Sequence, residues 1–248
     1  AIRMAIGMFA VVASLQFIAG DASGDVVAKL QPSKLAAIEA FWETKGGQAF
    51  HIVAWPDRAA ARNDWELSIP KLGSLIVKKD PNAVITGLND FAPRDRPPVW
   101  LVFYAFRVMV GLGLLMIGLG VWGVFLCFRG GPEKSTWFLR AAVAMGPAGF
   151  IAVVSGWVVA EVGRQPYVVF GVLRTADAVS PIKAGQVSFS LLAFMTVYAI
   201  VFSAGALYIL RLIGVGPGVA NQPPTPKVDR APGSALAAAP SEEEGSGQ

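Results

Sequence analysis

The chain alternates long apolar stretches with polar ones, and four of the apolar stretches are long enough to cross a bilayer, which takes about 20 residues in a helix. Three are complete: Val99–Phe128, interrupted by Arg107 alone, Trp137–Ala160, with Arg140 near its start and Pro147 inside, and Val187–Ile213, with Arg211 at its end. The fourth, residues 1–19, has no polar flank at its start. It is too rich in Met and Phe, and too poor in a cleavage pattern, for a signal peptide. It reads as a spanning helix cut at its beginning, so the chain is expected to be a fragment.

The polar stretches organise the rest. Residues 20–98 form a hydrophilic region with one amphipathic helix: Pro32 suits a first helical position, Leu35, Ile38 and Trp42 repeat at helical spacing, and Gly46–Gly47 stop it. AFHIVAW (49–55) is β-like, ARNDWELSIPKLGSLIV is mixed, and PRDRPP (93–98) ends the region. RGGPEKST (129–136) predicts a tight turn, residues 161–186 an external loop, and residues 214–248, rich in Gly, Pro, Ala and Ser, a disordered tail. The fold class expected is all-α, a multi-pass transmembrane helix bundle with a hydrophilic loop domain. Arg129, Lys134 and Arg140 against Glu133 lean the 129–140 turn to the cytoplasmic side, which puts residues 20–98 outside.

Composition agrees: 54% of residues are hydrophobic and 15% charged, the balance of a membrane protein. The net charge of +4 forms no basic stripe, so no nucleic-acid partner is expected. The one cysteine, Cys127, lies in an apolar run, and the one histidine is His51. A disulfide framework, a thiolate cluster and a multi-histidine zinc site from this chain alone are excluded.

Several charges stand where charges are costly. Glu161 ends an apolar run and Arg164 follows one turn later; on a continued helix Trp157, Glu161 and Arg164 share a face. Those charges either snorkel to the interface or serve a site. Met109 reads as packing or as a soft metal ligand, and Arg107 as a buried guanidinium in need of carboxylates or backbone. Residues two apart on a helix point about 200° apart, so Arg107 and Met109 need not meet one group. Lys34 and Glu39, five apart, are about 140° apart around a helix. They read either as ordinary charges on an exposed face or as the two sides of a cleft. Gly111 and Gly118, like Gly113 and Gly120, are seven apart and read as helix packing.

Three segments carry a resemblance: QPSKLAAIEAFWET (31–44), FRVMVGLG (106–113) and GRQPYVVFGVLRTADAVSP (163–181). In content and order they resemble subunit I of cytochrome bd-type quinol oxidases, in the form with a short Q-loop. The resemblance implies an electrogenic quinol oxidase in the bacterial inner membrane, its external Q-loop oxidising ubiquinol or menaquinol. Lys34 and Glu39 would form the quinol site. Met109 would be an axial ligand of a low-spin b haem, with Arg107 as a clamp for haem propionates. Glu161 would ligate a high-spin b haem, with Trp157 and Arg164 bordering it, beside a haem d or a further b haem that reduces oxygen. The family's histidine ligand to the low-spin haem lies on an earlier helix, and His51 matches no ligand position. Implied partners are a second large membrane subunit, optionally a small single-helix subunit, and the lipid bilayer. As a fragment, the chain is expected to be inactive alone. The rival reading is a non-enzymatic scaffold or transporter fragment whose intramembrane charges bind ions or substrate.

Overall fold

The computed structural model describes residues 2–215. Its helices are α1 Ile2–Leu30, α2 Pro32–Glu39, α3 Leu72–Lys78, α4 Val99–Phe128, α5 Thr136–Ala144, α6 Ala148–Val162 and α7 Ala184–Val215. Its strands form antiparallel pairs: β1 Lys45–Gly46 with β4 Val84–Ile85, β2 Phe50–Asp57 with β3 Arg62–Ile69, and β5 Tyr167–Val169 with β6 Leu173–Arg174. Four helical stretches are long and apolar enough to cross a membrane, so the all-α, multi-pass architecture holds. The chain divides into two compact units, residues 1–180 and 181–248. The second contains α7, a helix of 32 residues. The tail expected from 214 onward lies outside the described residues after Val215.

In the first unit α4 packs against both α1 and α6, and small residues mark the contacts. A Cβ on Gly120 would lie 3.0 Å from Ala10 Cα, and one on Gly123 2.8 Å from Ile6. Close approach of apolar helices needs this lack of bulk. Gly111, Gly113 and Gly118 have nothing within 4 Å of such a Cβ, so of the four glycines only Gly120 serves packing here. The apolar run 137–160 is two helices. Pro147 has no N–H to continue α5, and the chain turns at Met145–Pro147 before α6 begins.

One end of this unit carries the 129–136 turn, where Arg3 approaches Glu133 at 3.6 Å. The opposite end carries residues 20–98 together with the loop after α6. Arg174 pairs there with Asp95. α1 runs on to Leu30, well past residue 19, and turns directly into α2. That helix ends at Glu39, before the Gly46–Gly47 stop expected from the sequence. Ala40 takes a left-handed conformation (φ 54°) and Phe41 N–H bonds back to Ala36 O at 2.8 Å. For a residue with a Cβ that conformation costs roughly 1–2 kcal/mol. The turn drives Phe41 and Trp42 into the core, where each buried aromatic returns about 1.5–3 kcal/mol. Trp42 is therefore outside the helix that its spacing suggested. Every residue from Ser33 to Glu39 is buried, so α2 has no exposed face. Leu35 and Ile38 join Leu88 and the α4 entrance residues Val99, Val102 and Phe103 in one core.

The β-like stretch is β2, and the mixed stretch after it supplies β3. Their hairpin closes at Asp57, whose Oδ1 accepts from Ala59 and Ala60 N–H at 2.7 and 3.1 Å. Register shifts after His51 and Ala54 bend β2 and allow Pro56 within it. Tyr104 of α4 donates its hydroxyl to Ala54 O at 2.8 Å, which seats the hairpin on α4.

Candidate functional site

The site grows from the carboxylate that ends α2. Glu39 is 7% exposed, and its Oε2 accepts from Arg107 Nη2 at 2.7 Å; Arg107 is 14% exposed. The pair lies 68 residues apart in sequence and joins α2 to α4. Arg107 Nε donates to His51 O at 2.8 Å. The guanidinium carbon stands 4.6 Å from the Phe50 ring centre and 4.5 Å from that of Phe103. Burial among rings suits Arg, whose delocalised charge is weakly hydrated. Its Nη1 is buried without a hydrogen-bond partner.

His51 completes the ring of contacts. Its Nδ1 is 2.8 Å from Glu39 O, and its Nε2 is 3.1 Å from Glu66 Oε2. Asn63 lies behind Glu66. It accepts from Trp42 Nε1 at 2.8 Å and donates to Glu66 Oε2 at 2.8 Å and Ala40 O at 3.2 Å.

Lys34 faces elsewhere. Its Nζ donates to Ala160 O at 3.0 Å, near the C-terminal end of α6, where a cation meets unpaired carbonyls and the negative helix end. Gly163 makes room: a Cβ there would come within 3.2 Å of Lys34 Cε. Burial pushes the Lys34 ammonium below the usual lysine value, the Arg164 charge lowers it further, and Glu161 opposes the shift. Lys34 thus gives up its proton more readily than an ordinary lysine.

Glu161 and Trp157 are 53% and 67% exposed. α6 ends at Val162, so Arg164 lies beyond it rather than on its continued face. Its Nη2 still reaches Glu161 Oε1 at 3.8 Å, and its Nε is buried without a partner. Met109 packs toward α6, its Sδ 2.9 Å from where a Gly156 Cβ would be. Met109 and Arg107 therefore serve different neighbours, as their angular separation requires.

The sequence-derived residues fall into two groups. Glu39 meets Arg107, while Lys34 meets the neighbourhood of Glu161 and Arg164. Lys34 and Glu39 are not brought together. The alternative of ordinary charges on an exposed face fails for both, since both are buried. The sequence reading set His51 aside because it matches no ligand position, and it did not single out Glu66. The available signal was a lone histidine beside a phenylalanine in a short strand, but its partners are distant in sequence. Among the described residues no three His, Cys, Asp or Glu side chains cluster as a metal site.

Comparison with known proteins adds the context. The model of the family described as cytochrome bd terminal oxidase subunit I matches residues 1–217. The chain is 32% identical over 207 residues to cytochrome bd ubiquinol oxidase subunit 1 of Bacillus subtilis (strain 168), covering 79% of the chain and 44% of that protein. It is 26% identical over 283 residues to cytochrome bd-II ubiquinol oxidase subunit 1 of Escherichia coli (strain K12), covering 88% and 55%. The structure of bd oxidase from Geobacillus thermodenitrificans matches with a TM-score of 0.74 and 30% identity, over 87% of this chain and 49% of that one. The chain thus spans about half the length of the relatives it matches.

Proposed function

The chain belongs to the cytochrome bd terminal oxidase subunit I family, and from that premise we propose that it works as part of the haem-bearing subunit of a respiratory quinol:oxygen oxidoreductase. The observation that carries the reading is the Glu39–Arg107 pair. It fastens the segment resembling the family's quinol site to the helix that bears Met109, two residues further on.

The residues fit haem in kind. Arg107 Nη1 and Arg164 Nε are buried donors without partners, suited to propionate carboxylates. The thioether of Met109 suits a low-spin b haem, and the half-exposed carboxylate of Glu161 a high-spin b haem. Trp157 and Arg164 would border the second. A haem d or further b haem would complete the set, and bound haem supplies electron transfer and oxygen reduction. The chain's own residues place the substrate and move protons. Glu39 and Lys34 would line the quinol site, Glu39 held in place by Arg107. Lys34, with its lowered pKa, would exchange protons that leave as quinol is oxidised. A second large subunit, optionally a small single-helix subunit, ubiquinol or menaquinol, and the bacterial inner membrane complete the proposal. The family match favours this reading over a scaffold or transporter.

The test is haem content and oxygen uptake in membranes carrying the full-length protein with Glu161→Gln or Met109→Leu. Glu161→Gln keeps the size but loses the charge; it should abolish the high-spin b signal and oxygen uptake while sparing the low-spin haem. Met109→Leu keeps the volume and should shift the low-spin haem toward high spin. Normal spectra from both variants would overturn the ligand assignments. Absence of all haem bands from the unsubstituted protein would overturn the oxidase itself.

A further inference from the structure

Met109 and Gly156 meet across the packed pair of α4 and α6. A Cβ on Gly156 would stand 2.9 Å from Met109 Sδ and 3.9 Å from Met109 Cγ, and beyond its own helix it would meet nothing else within 4 Å. The room a side chain would need is filled by one thioether. Other tight glycines differ. The nearest atom to a Cβ on Gly163 is the Val159 carbonyl oxygen, and one on Gly123 would meet Ile6 and the Phe138 ring. Those two positions are hemmed in by backbone or by several packed side chains. Gly156 is hemmed in by a single sulfur-bearing side chain.

Which side would yield follows from how each is held. Val159, three residues beyond Gly156, is buried in the core that also holds Val99, Val102 and Phe103 of α4, and Ala160 O accepts from Lys34 Nζ at 3.0 Å. Retreat of α6 would disturb both contacts. Met109 is half-buried, and a methionine has three rotatable side-chain bonds and adapts to its surroundings. The sulfur therefore moves and the helix stays. Ordinary contact lies at about 3.5–4.0 Å, so a methyl group at 2.9 Å would displace the sulfur by roughly 0.5–1 Å. A functional group has to be held within about 0.5 Å of its productive position. Glycine also costs a helix interior about 1 kcal/mol relative to alanine, which offsets what one displaced methionine loses in contacts. One added methyl is thus a small change for the fold and a large one for the thioether.

We propose that Gly156 is the positioning residue for the Met109 thioether: its missing side chain leaves the room in which the sulfur sits, and a Cβ there turns the sulfur away from haem while the helix pair stays packed. The proposal rests on the reading of Met109 as an axial ligand of the low-spin b haem. Gly156 acts through Met109 alone. Glu161, five residues further on, points about 140° away around α6, so the high-spin haem assigned to it lies beyond the reach of this substitution.

The experiment is a redox titration and a reduced-minus-oxidised spectrum of the full-length oxidase complex with its haems, together with its unfolding temperature. Gly156→Ala should shift part of the low-spin haem to high spin and lower its midpoint potential, because a thioether ligand raises that potential. The signal of the haem assigned to Glu161 should match the parent's, and the unfolding temperature should not fall. Gly149→Ala, on the same helix where a Cβ meets nothing within 4 Å, should change none of these. On a Met109→Leu background Gly156→Ala should add no further shift, because residues acting through one contact are not additive. A parent-like spectrum and potential in Gly156→Ala, beside altered ones in Met109→Leu, overturns the proposal alone. So does a shift of the same size on the Met109→Leu background, or a loss of all haem bands together, either of which would make Gly156 a residue of general packing. A parent-like spectrum in Met109→Leu would instead sink the ligand reading, and the proposal with it.

Discussion

Glu39 and Glu161 are two carboxylates at the same end of one bundle, and the chain treats them in opposite ways. Glu39 is 7% exposed with a guanidinium at 2.7 Å, whereas Glu161 is 53% exposed with its guanidinium at 3.8 Å. The first has its charge balanced and its geometry set by residues of this chain. The second has a loose partner and room for another group. Under the proposed function, the first arrangement suits a carboxylate that would meet a quinol in one orientation, and the second suits one that would ligate iron.

The sharpest way to break the contrast is Glu39→Ala. It strands Arg107 in an apolar setting, and removing one partner of a buried pair costs about 3–5 kcal/mol. Thermal unfolding of the solubilised protein should register that loss. Glu39→Leu combined with Arg107→Met should recover much of it, because an apolar pair carries no desolvation penalty. A single variant as stable as the parent would show that the pair is not balanced as described. Gly163→Val comes next. A Cβ there would run into the backbone carbonyl of Val159 and would also crowd the Lys34 side chain at 3.2 Å, and overpacking of this kind costs about 1–3 kcal/mol. No change in unfolding temperature would mean that the end of α6 and Lys34 both yield freely.

Lys34 itself gives a smaller, pH-dependent effect. Its pKa is lower in the folded chain than the ordinary 10.5. Between the two values the unfolded chain binds the extra proton, so stability rises with pH across that window. Lys34→Gln should flatten the rise, read as denaturation midpoints at stepped alkaline pH; an unaltered slope would assign it to other groups. Arg164→Gln should do least, within about 1 kcal/mol, because half-exposed ion pairs contribute little. A loss as large as that of Glu39→Ala would erase the distinction between the two carboxylates.

The spans were legible because a bilayer demands long uninterrupted apolar runs, and Val99–Phe128 matches α4 residue for residue. The division at Pro147 was less so, since one proline leaves open whether a helix bends or restarts. The end of α2 was hidden because the signal looked for was glycine, and Ala40 adopts the left-handed turn instead. β3 was obscured by RNDWELSI, whose polar residues serve contacts: Asn63 and Glu66 reach Trp42 and His51. The buried state of Lys34 and Glu39 and the pairing of Glu39 with Arg107 follow from tertiary packing, which no local period encodes. The family resemblance located these residues without disclosing which of them meet.

α2 has a mechanical consequence. Lys34 and Glu39 stand five residues apart, about 7.5 Å along the axis of a helix. One grips the end of α6 and the other grips α4. The short helix is therefore a gauge block laid across two membrane helices that already pack on each other, and its length has to match the distance between its two grips. Inserting one residue between its two grips would turn Glu39 by about 100° and leave Arg107 facing empty register. One of the shortest described helices is thus a segment that tolerates no change in length.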